Sequence, residues 1–213
     1  MCFSAKSSII SFSVGIIGSL LCVSLGTAAD KIIGYFFAFV SSMQIIEYLL
    51  WTHQKCDNYN KFISMLGMIL NHLQPLVLSC LVLNFNPRTP YKKWIALIMA
   101  VYLCVIIPYS YQFLQHKNNQ CTLKGTDNHL FWHWNNMSYC CFVYIIFLIA
   151  LSAFWLLGMP TLKLGVIFAI ISIVSYLSSV YFYPHKNLGA MWCYYAVFIP
   201  IIYYIIRVFI VKM

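Results

Sequence analysis

The stretch Ile32–Trp51, IIGYFFAFVSSMQIIEYLLW, decides the fold class, because its length and apolar character match those of a helix that crosses a lipid bilayer. At 1.5 Å per residue, about 20 helical residues span a hydrocarbon core roughly 30 Å thick. Six further apolar stretches of similar length occur in the chain. We therefore predict an all-α polytopic membrane protein, a bundle of seven transmembrane helices in a single domain that covers residues 1–213. The predicted helices lie near residues 7–26, 32–51, 63–83, 94–113, 137–157, 164–183 and 191–210.

The composition excludes a soluble globular protein. Of the 213 residues, 62% are hydrophobic and 8% are charged, whereas charged residues make up about a quarter of a typical soluble domain. The net charge of +9 comes from Lys and Arg residues that are scattered through the loops and helix ends. Because these residues form no run, we expect them to anchor the chain to lipid headgroups, and we expect no nucleic-acid partner. The lipid bilayer is the expected partner.

The end of the first apolar stretch has the features of a signal-peptide cleavage site, since Thr27-Ala28-Ala29 offers small residues. However, its apolar part is longer than the roughly 7–15 residues of a signal core, and Lys6 is its only early charge. We therefore expect this stretch to remain as the first helix.

An odd number of helices places the two termini on opposite sides of the membrane. We name the N-terminal side A and the C-terminal side B. The positive-inside rule applies best to short loops, and the short loop 84–93 on side B carries Arg88, Lys92 and Lys93. We therefore expect a cytoplasmic C-terminus and a non-cytoplasmic N-terminus. Cys56 and Cys121 both fall in loops on side A, so we predict a disulfide between them if that side is oxidising.

Glu47 is the only acidic residue within any of the predicted helices. Ser41, Gln44, Glu47 and Trp51 follow helical spacing, so they form one polar stripe on an otherwise apolar helix. A carboxylate in hydrocarbon costs at least about 2.5–3.5 kcal/mol. The stripe is therefore expected to face protein or water, and Glu47 is a candidate functional residue.

Other polar residues are expected at a similar depth below side A. Glu47 lies about 6 Å from the side A end of its helix, and Asn71 and His72 lie about 12–14 Å down the third helix. We predict a common binding site formed by Glu47, His72, Gln44, Asn71, Trp192, Cys193, Cys2, Ser4 and Lys6. In the alternative interpretation these residues only bridge helices, with Glu47 paired to Lys6 and Asn71 paired to Gln44.

The long loop near 114–136 on side A carries a second candidate site. His129 and His133 are four residues apart, so on a helix they would project from one face and could share a metal ion such as zinc. The residues between them lack the glutamate of the zincin motif. Trp132 and Trp134 favour another interpretation, in which the segment is an amphipathic anchor at the membrane interface.

Four sequence features of the chain carry a resemblance to a known protein family. They are the opening Met1-Cys2-Phe3-Ser4-Ala5, Gln44-x-x-Glu47 followed by Leu50-Trp51, His72-x-x-Pro75, and Trp192-Cys193 followed by Tyr194-Tyr195. In this order they resemble an uncharacterised family of multi-span membrane proteins, known chiefly from bacteria, whose members open with Met-Cys-Phe-Ser-Ala. The resemblance implies an uncleaved first helix and a role for the matched positions, and it implies no particular reaction. The histidine-rich loop is not part of that pattern.

Two better-known classes of seven-helix membrane protein fit the chain less well. A retinal protein needs a lysine inside its last helix for the Schiff base, and the seventh stretch has none before Lys212, so we expect no retinal. Seven-helix zinc hydrolases of the alkaline ceramidase type use several histidines and an aspartate at helix ends. Here His72 is the only histidine deep in a predicted helix, and no predicted helix contains an aspartate.

Three functions remain as hypotheses. The first is the binding or translocation of a small solute, ion or lipid that enters from side A, with Glu47 as the proton or cation partner. The second is a membrane-embedded hydrolase or transferase, with or without a metal, in which Glu47 is the general base, His72 is a ligand or acid and Cys2 is the nucleophile. The third is a structural or assembly role.

Overall fold

A computed structural model describes residues 4–116, 120–125, 129–182 and 188–210. These residues contain eight α-helices, and α8 continues into a π-helical turn at Ile206–Ile210. The helices are α1 (Ala5–Ser24), α2 (Ala28–Thr52), α3 (Asn58–Phe85), α4 (Lys92–Gln115), α5 (Cys140–Gly158), α6 (Leu162–Phe182), α7 (Leu188–Ala196) and α8 (Ile199–Ile205).

The predicted all-α class is confirmed. The described residues contain seven helical segments that are long and apolar enough to cross a membrane, the last of which combines α7, α8 and the π-helical turn as Trp192–Ile210. This arrangement suits a multi-pass membrane protein.

Helix α2 is the central helix of the bundle, and it packs against α1, α3 and α7. Its contact with α1 is close because α1 presents a glycine to it. A Cβ atom added at Gly15 would lie 2.1 Å from Oγ of Ser41 and 3.1 Å from Cβ of Val197. Glycine at this position therefore allows α1 to approach both α2 and the last span, as small residues do between membrane helices.

Helix α2 begins earlier than predicted, at Ala28 rather than near residue 32. Thr27 and Asp30 form a capping box, in which each side chain accepts a hydrogen bond from the backbone N–H of the other residue. Asp30 is consequently inside the helix and fully buried. The expectation that Glu47 is the only acidic residue within a spanning helix is therefore wrong.

Asp30 is paired with the last span on side B. Its Oδ1 atom lies 3.5 Å from Nε of Arg207 and accepts a 2.6 Å hydrogen bond from the hydroxyl of Tyr203. Because a buried carboxylate needs a charged partner and hydrogen bonds, these contacts explain how Asp30 is accommodated. They fasten the start of α2 to the end of the chain's last helix.

The end of the bundle on side A is covered by a compact segment, which we call the cap and define as the described residues within 120–139. It contains two short antiparallel strands, β1 (Leu123–Lys124) and β2 (Leu130–Phe131). The predicted disulfide between Cys56 and Cys121 is confirmed, with a Cα–Cα distance of 5.5 Å. It links the cap to the loop between α2 and α3.

Asn60 on α3 holds the first part of the cap. Its Nδ2 atom donates to the carbonyl of Thr122 at 3.0 Å, and its Oδ1 atom accepts from the N–H of Thr122 at 2.9 Å. The N–H of Lys124 donates to Oε1 of Gln54 at 2.7 Å. The cap is thus fixed both to α3 and to the loop that follows α2.

Two cap tryptophans are buried in the bundle. Trp132 and Trp134 are each 1% exposed, so the prediction that they anchor the segment at the membrane interface is wrong. The indole of Trp132 fits beside Gly67 of α3, where an added Cβ atom would lie 3.1 Å from its ring. The ring of Trp134 packs edge-to-face on Phe113 of α4, with the centroids 5.8 Å apart. These contacts bury more apolar surface than an interfacial position would.

Candidate functional site

Two polar side chains of α2 face the interior of the bundle. Glu47 and Gln44 are one helical turn apart, and both are 0% exposed. In the part of the chain that the structure describes, neither Oε1 nor Nε2 of Gln44 has a hydrogen-bond partner. By contrast, the hydroxyl of Ser41, one turn further along, donates to the carbonyl of Phe37 at 2.7 Å. Gln44 therefore offers a donor and an acceptor inside the protein.

A glutamine of α3 connects this region to the last span. Oε1 of Gln74 accepts a 2.9 Å hydrogen bond from Nε1 of Trp192, and its Nε2 atom donates to Sγ of Cys193 at 3.4 Å. Glu47 lies within electrostatic range of the Cys193 thiol. The structure thus joins Trp192 and Cys193, two residues that the sequence analysis selected, to Gln74, and Glu47 lies close enough to influence Cys193 electrostatically.

We call Gln44, Glu47, Gln74, Trp192 and Cys193 the acid cluster. The sequence analysis missed Gln74 as a site residue. A signal was present, because Gln74 is a polar residue two positions after His72 in a predicted membrane helix, and polar residues at that depth need a partner inside the protein.

His72 faces away from the acid cluster. Residues two apart on a helix differ by about 200° in direction, so His72 and Gln74 point to opposite sides of α3. Nδ1 of His72 lies 2.8 Å from Oγ of Ser110 on α4, and its ring lies 5.7 Å from that of Tyr109. The predicted common pocket for Glu47 and His72 is therefore divided by α3 into two polar regions.

Asn71 belongs to the second region. Its Nδ2 atom donates to the hydroxyl of Tyr144 on α5 at 3.1 Å, and that hydroxyl donates to Oδ1 of Asn135 in the cap. We call His72, Ser110, Asn71, Tyr144 and Asn135 the imidazole cluster. Among the described residues, Nε2 of His72 has no hydrogen-bond partner. Asn71 pairs with Tyr144, so the alternative pairing of Asn71 with Gln44 is wrong.

The residues at the start of the chain do not extend the acid cluster in the described part. Cys2 lies outside the described residues. Oγ of Ser4 caps α1 by accepting from the N–H of Ser7 at 3.1 Å. Lys6 is exposed, whereas Glu47 is completely buried.

The predicted metal pair His129 and His133 does not lie on a helix. Residues 130–131 form β2, and a 3-10 turn covers His133–Asn136, so the two histidines share no α-helical face. Within the described ranges, no group of three or more His, Cys, Asp and Glu side chains could hold a metal ion. The spacing argument for this pair was wrong because it assumed a helix.

His133 instead lines a cavity of about 270 Å³ at side A, between the end of α4 and the cap. Partial burial lowers the pKa of His133 below its ordinary value, so its imidazole is mainly neutral at pH 7. The residues around the cavity are Gln112, Phe113, His116, His133, Asn136, Met137 and Ser138.

Comparison of this chain with protein-family models, curated proteins and solved structures gave no match. The family resemblance of its motifs therefore stays a prediction.

Proposed function

We propose that this chain binds a small polar solute or an ion inside the membrane, at the acid cluster, and translocates it. The observation that carries the proposal is the side chain of Gln44, which is 0% exposed and has no hydrogen-bond partner for either polar atom among the described residues.

The free-energy cost of burying a polar group without a hydrogen-bond partner is the reason that Gln44 indicates a binding site. Each buried polar group left without a partner costs about 1–3 kcal/mol, and native proteins contain few such groups. A bound ligand or its water would supply the missing partners of Gln44. Glu47, one turn away on the same face, would supply a negative charge, so a cation or a proton-coupled solute suits the site.

The surroundings of the acid cluster favour an occluded site. Ile46, next to Glu47, meets Gly67 where the indole of Trp132 also packs. The cap thus reaches the depth of the cluster, and passage from side A would require it to move. Closed and open states of this kind are typical of proteins that move a solute across a membrane.

The disulfide between Cys56 and Cys121 supports the orientation expected from the sequence. Disulfides persist mainly in oxidising compartments. Both cysteines lie on side A, so we propose that the N-terminus is non-cytoplasmic and that the C-terminus is cytoplasmic.

Proton flux in proteoliposomes tests the proposed function. The purified protein would be reconstituted with a pH-sensitive dye inside, and a pH gradient would be imposed. We expect Glu47→Gln to abolish the flux, whereas Asp57→Asn, the same change at an exposed loop acid, preserves it. Equal flux in the wild type and Glu47→Gln would overturn the role given to Glu47.

A second candidate function rests on the imidazole cluster. The 2.8 Å contact between Nδ1 of His72 and Oγ of Ser110 resembles the base and nucleophile of an acyl-transfer enzyme. Ser110 would attack the carbonyl of an ester while His72 takes its proton. As the ester bond breaks, His72 would return that proton to the departing alcohol, and water would then hydrolyse the acyl-serine. A fluorophosphonate probe tests this hydrolase: labelling that is lost in Ser110→Ala but kept in Ser79→Ala favours it, and no labelling of the wild type excludes it.

A further inference from the structure

The cavity of about 270 Å³ at side A is separate from both clusters described above. It lies where α4 ends and the 3-10 turn of the cap begins. None of the residues that line it belongs to the acid cluster or the imidazole cluster. Its function is therefore a separate question from the intramembrane site.

The described residues that line the cavity include no charged side chain. Two histidines and one methionine, His116, His133 and Met137, border the same space. Among the residues that the structure describes, neither a carboxylate nor a lysine lines it. Carboxylate-poor sites suit neither Ca²⁺ nor Mg²⁺, which prefer oxygen ligands, whereas thioether and imidazole groups suit copper in its monovalent state.

We propose that His116, His133 and Met137 bind one monovalent copper ion in this cavity. The pairing differs from the one expected from sequence spacing, since His129 does not line the cavity.

The position of His116 favours a cation. His116 is the C-cap of α4, and its N–H donates to the carbonyl of Phe113 at 3.1 Å. The C-terminal end of a helix carries a partial negative charge from its unpaired carbonyls, which stabilises a nearby positive charge. The cavity therefore adjoins a favourable electrostatic environment for a metal ion, although none of the described residues that line it is acidic.

The other histidine is held in place by the cap. The ring of His133 packs edge-to-face on Phe131, with the centroids 4.7 Å apart. The carbonyl of the next residue, Trp134, accepts a hydrogen bond from the hydroxyl of Tyr109. These contacts fix the position of His133 beside the cavity.

The volume of the cavity leaves room for the ion and for water. At about 30 Å³ for each water molecule, it corresponds to roughly nine waters. Gln112, Asn136 and Ser138 provide hydrogen-bonding groups that can orient the imidazoles or the waters, as the outer partners of metal sites do.

Copper titration of the whole protein tests the site. Because Cys140 and Cys141 lie nearby in sequence and their thiols also bind copper, the experiment uses a background with Cys140→Ser and Cys141→Ser. Ascorbate keeps the copper monovalent, and a chromogenic chelator competes for it. We expect one ion per protein, and a loss of affinity of at least tenfold, as an order of magnitude, in His116→Ala, His133→Ala and Met137→Leu.

The matched control is His129→Ala, which removes a histidine from the same cap without touching the cavity. We expect it to retain the affinity of the background. His133→Gln keeps a polar side chain of similar size and replaces His133→Ala if the latter fails to fold. X-ray absorption at the copper edge should show a sulfur neighbour that disappears in Met137→Leu.

Three results would overturn the proposal. They are the absence of a stoichiometric copper ion in the background protein, an equal loss of affinity in His129→Ala and His133→Ala, and a copper spectrum that is unchanged in Met137→Leu.

Discussion

The indole Nε1 of Trp192 lies 2.9 Å from Oε1 of Gln74, so a buried hydrogen bond joins two residues that are 118 positions apart. The same glutamine reaches Cys193, next to Trp192, with its other amide atom. Gln74 therefore fixes the start of the last span against α3, on the side that faces Glu47.

Replacing either partner should destabilise the protein. In Gln74→Leu the buried N–H of Trp192 loses its acceptor, so we expect the free energy of unfolding to fall by about 1–3 kcal/mol. Trp192→Phe removes the donor and the bond together. The double variant should be more stable than the sum of the single effects predicts, with a coupling of about 0.5 kcal/mol or more. Thermal denaturation in detergent measures the cycle, and strictly additive effects would contradict the contact.

The disulfide between Cys56 and Cys121 should hold the cap in place. We expect Cys56→Ser to lower the stability by about 2–4 kcal/mol, because the bond closes a long segment of chain. It should also increase quenching of the cap tryptophans, Trp132 and Trp134, by a soluble quencher. On non-reducing gels the wild type should migrate faster than its reduced form. A mobility shift that survives in Cys56→Ser would show that another pair forms the bond.

The ion pair between Asp30 and Arg207 on side B should contribute more to the free energy of unfolding than an ion pair on the protein surface does. Arg207→Leu would leave the carboxylate of Asp30 buried beside Tyr203 without a positive partner. Loss of one partner of a buried pair costs about 3–5 kcal/mol, and we expect the low end because the Arg207 side chain is 21% exposed. The double variant Asp30→Leu with Arg207→Leu should regain much of the loss in melting temperature. An unchanged melting temperature in Arg207→Leu would refute the pairing.

Asp57 makes the stability of the N-terminal end of α3 depend on pH. Its carboxylate caps the helix by accepting from the N–H of Asn60 at 3.0 Å, and this bond, together with His53, lowers its pKa below 3.8. A lowered pKa in the folded state means that the stabilisation is present above about pH 4 and is lost as the pH falls through the folded pKa.

The neutral variant Asp57→Asn provides the control for this pH dependence, since asparagine also caps helices. The difference in melting temperature between the wild type and Asp57→Asn should shrink as the pH falls below about pH 4. A difference that stays constant down to pH 2 would contradict the role of this carboxylate.

Hydropathy was sufficient to predict the seven segments that are long and apolar enough to cross a membrane and their approximate limits, because each apolar stretch is a local property of the sequence. The start of α2 was placed too late because Asp30 is charged, although Thr27 and Asp30 have the spacing of a capping box. This spacing would have allowed us to predict that the helix begins at Ala28.

The arrangement of the site was less predictable, because it depends on how the helices are rotated against each other. We grouped Glu47 with His72 because their expected depths in the membrane are similar. Depth does not show in which direction the side chain of His72 points from the axis of α3. The burial of Trp132 depends on the space beside Gly67, which forms only when the cap and α3 are in contact. The direction of His72 and the burial of Trp132 both depend on contacts between segments that are far apart in the sequence, so no single segment predicts them.

Native mass spectrometry of the protein in lipid nanodiscs tests most directly whether the amide of Gln44 is kept for a ligand. The comparison is between the wild type, Gln44→Met and Gln115→Met, the last being the same change at an exposed position. We predict a bound small molecule or ion in the wild type and Gln115→Met that is absent from Gln44→Met. In the ligand-free protein, the melting temperature of Gln44→Met should exceed that of the wild type, because an apolar side chain replaces a buried amide without partners. An adduct that persists in Gln44→Met, or a wild type that carries none, would contradict the account.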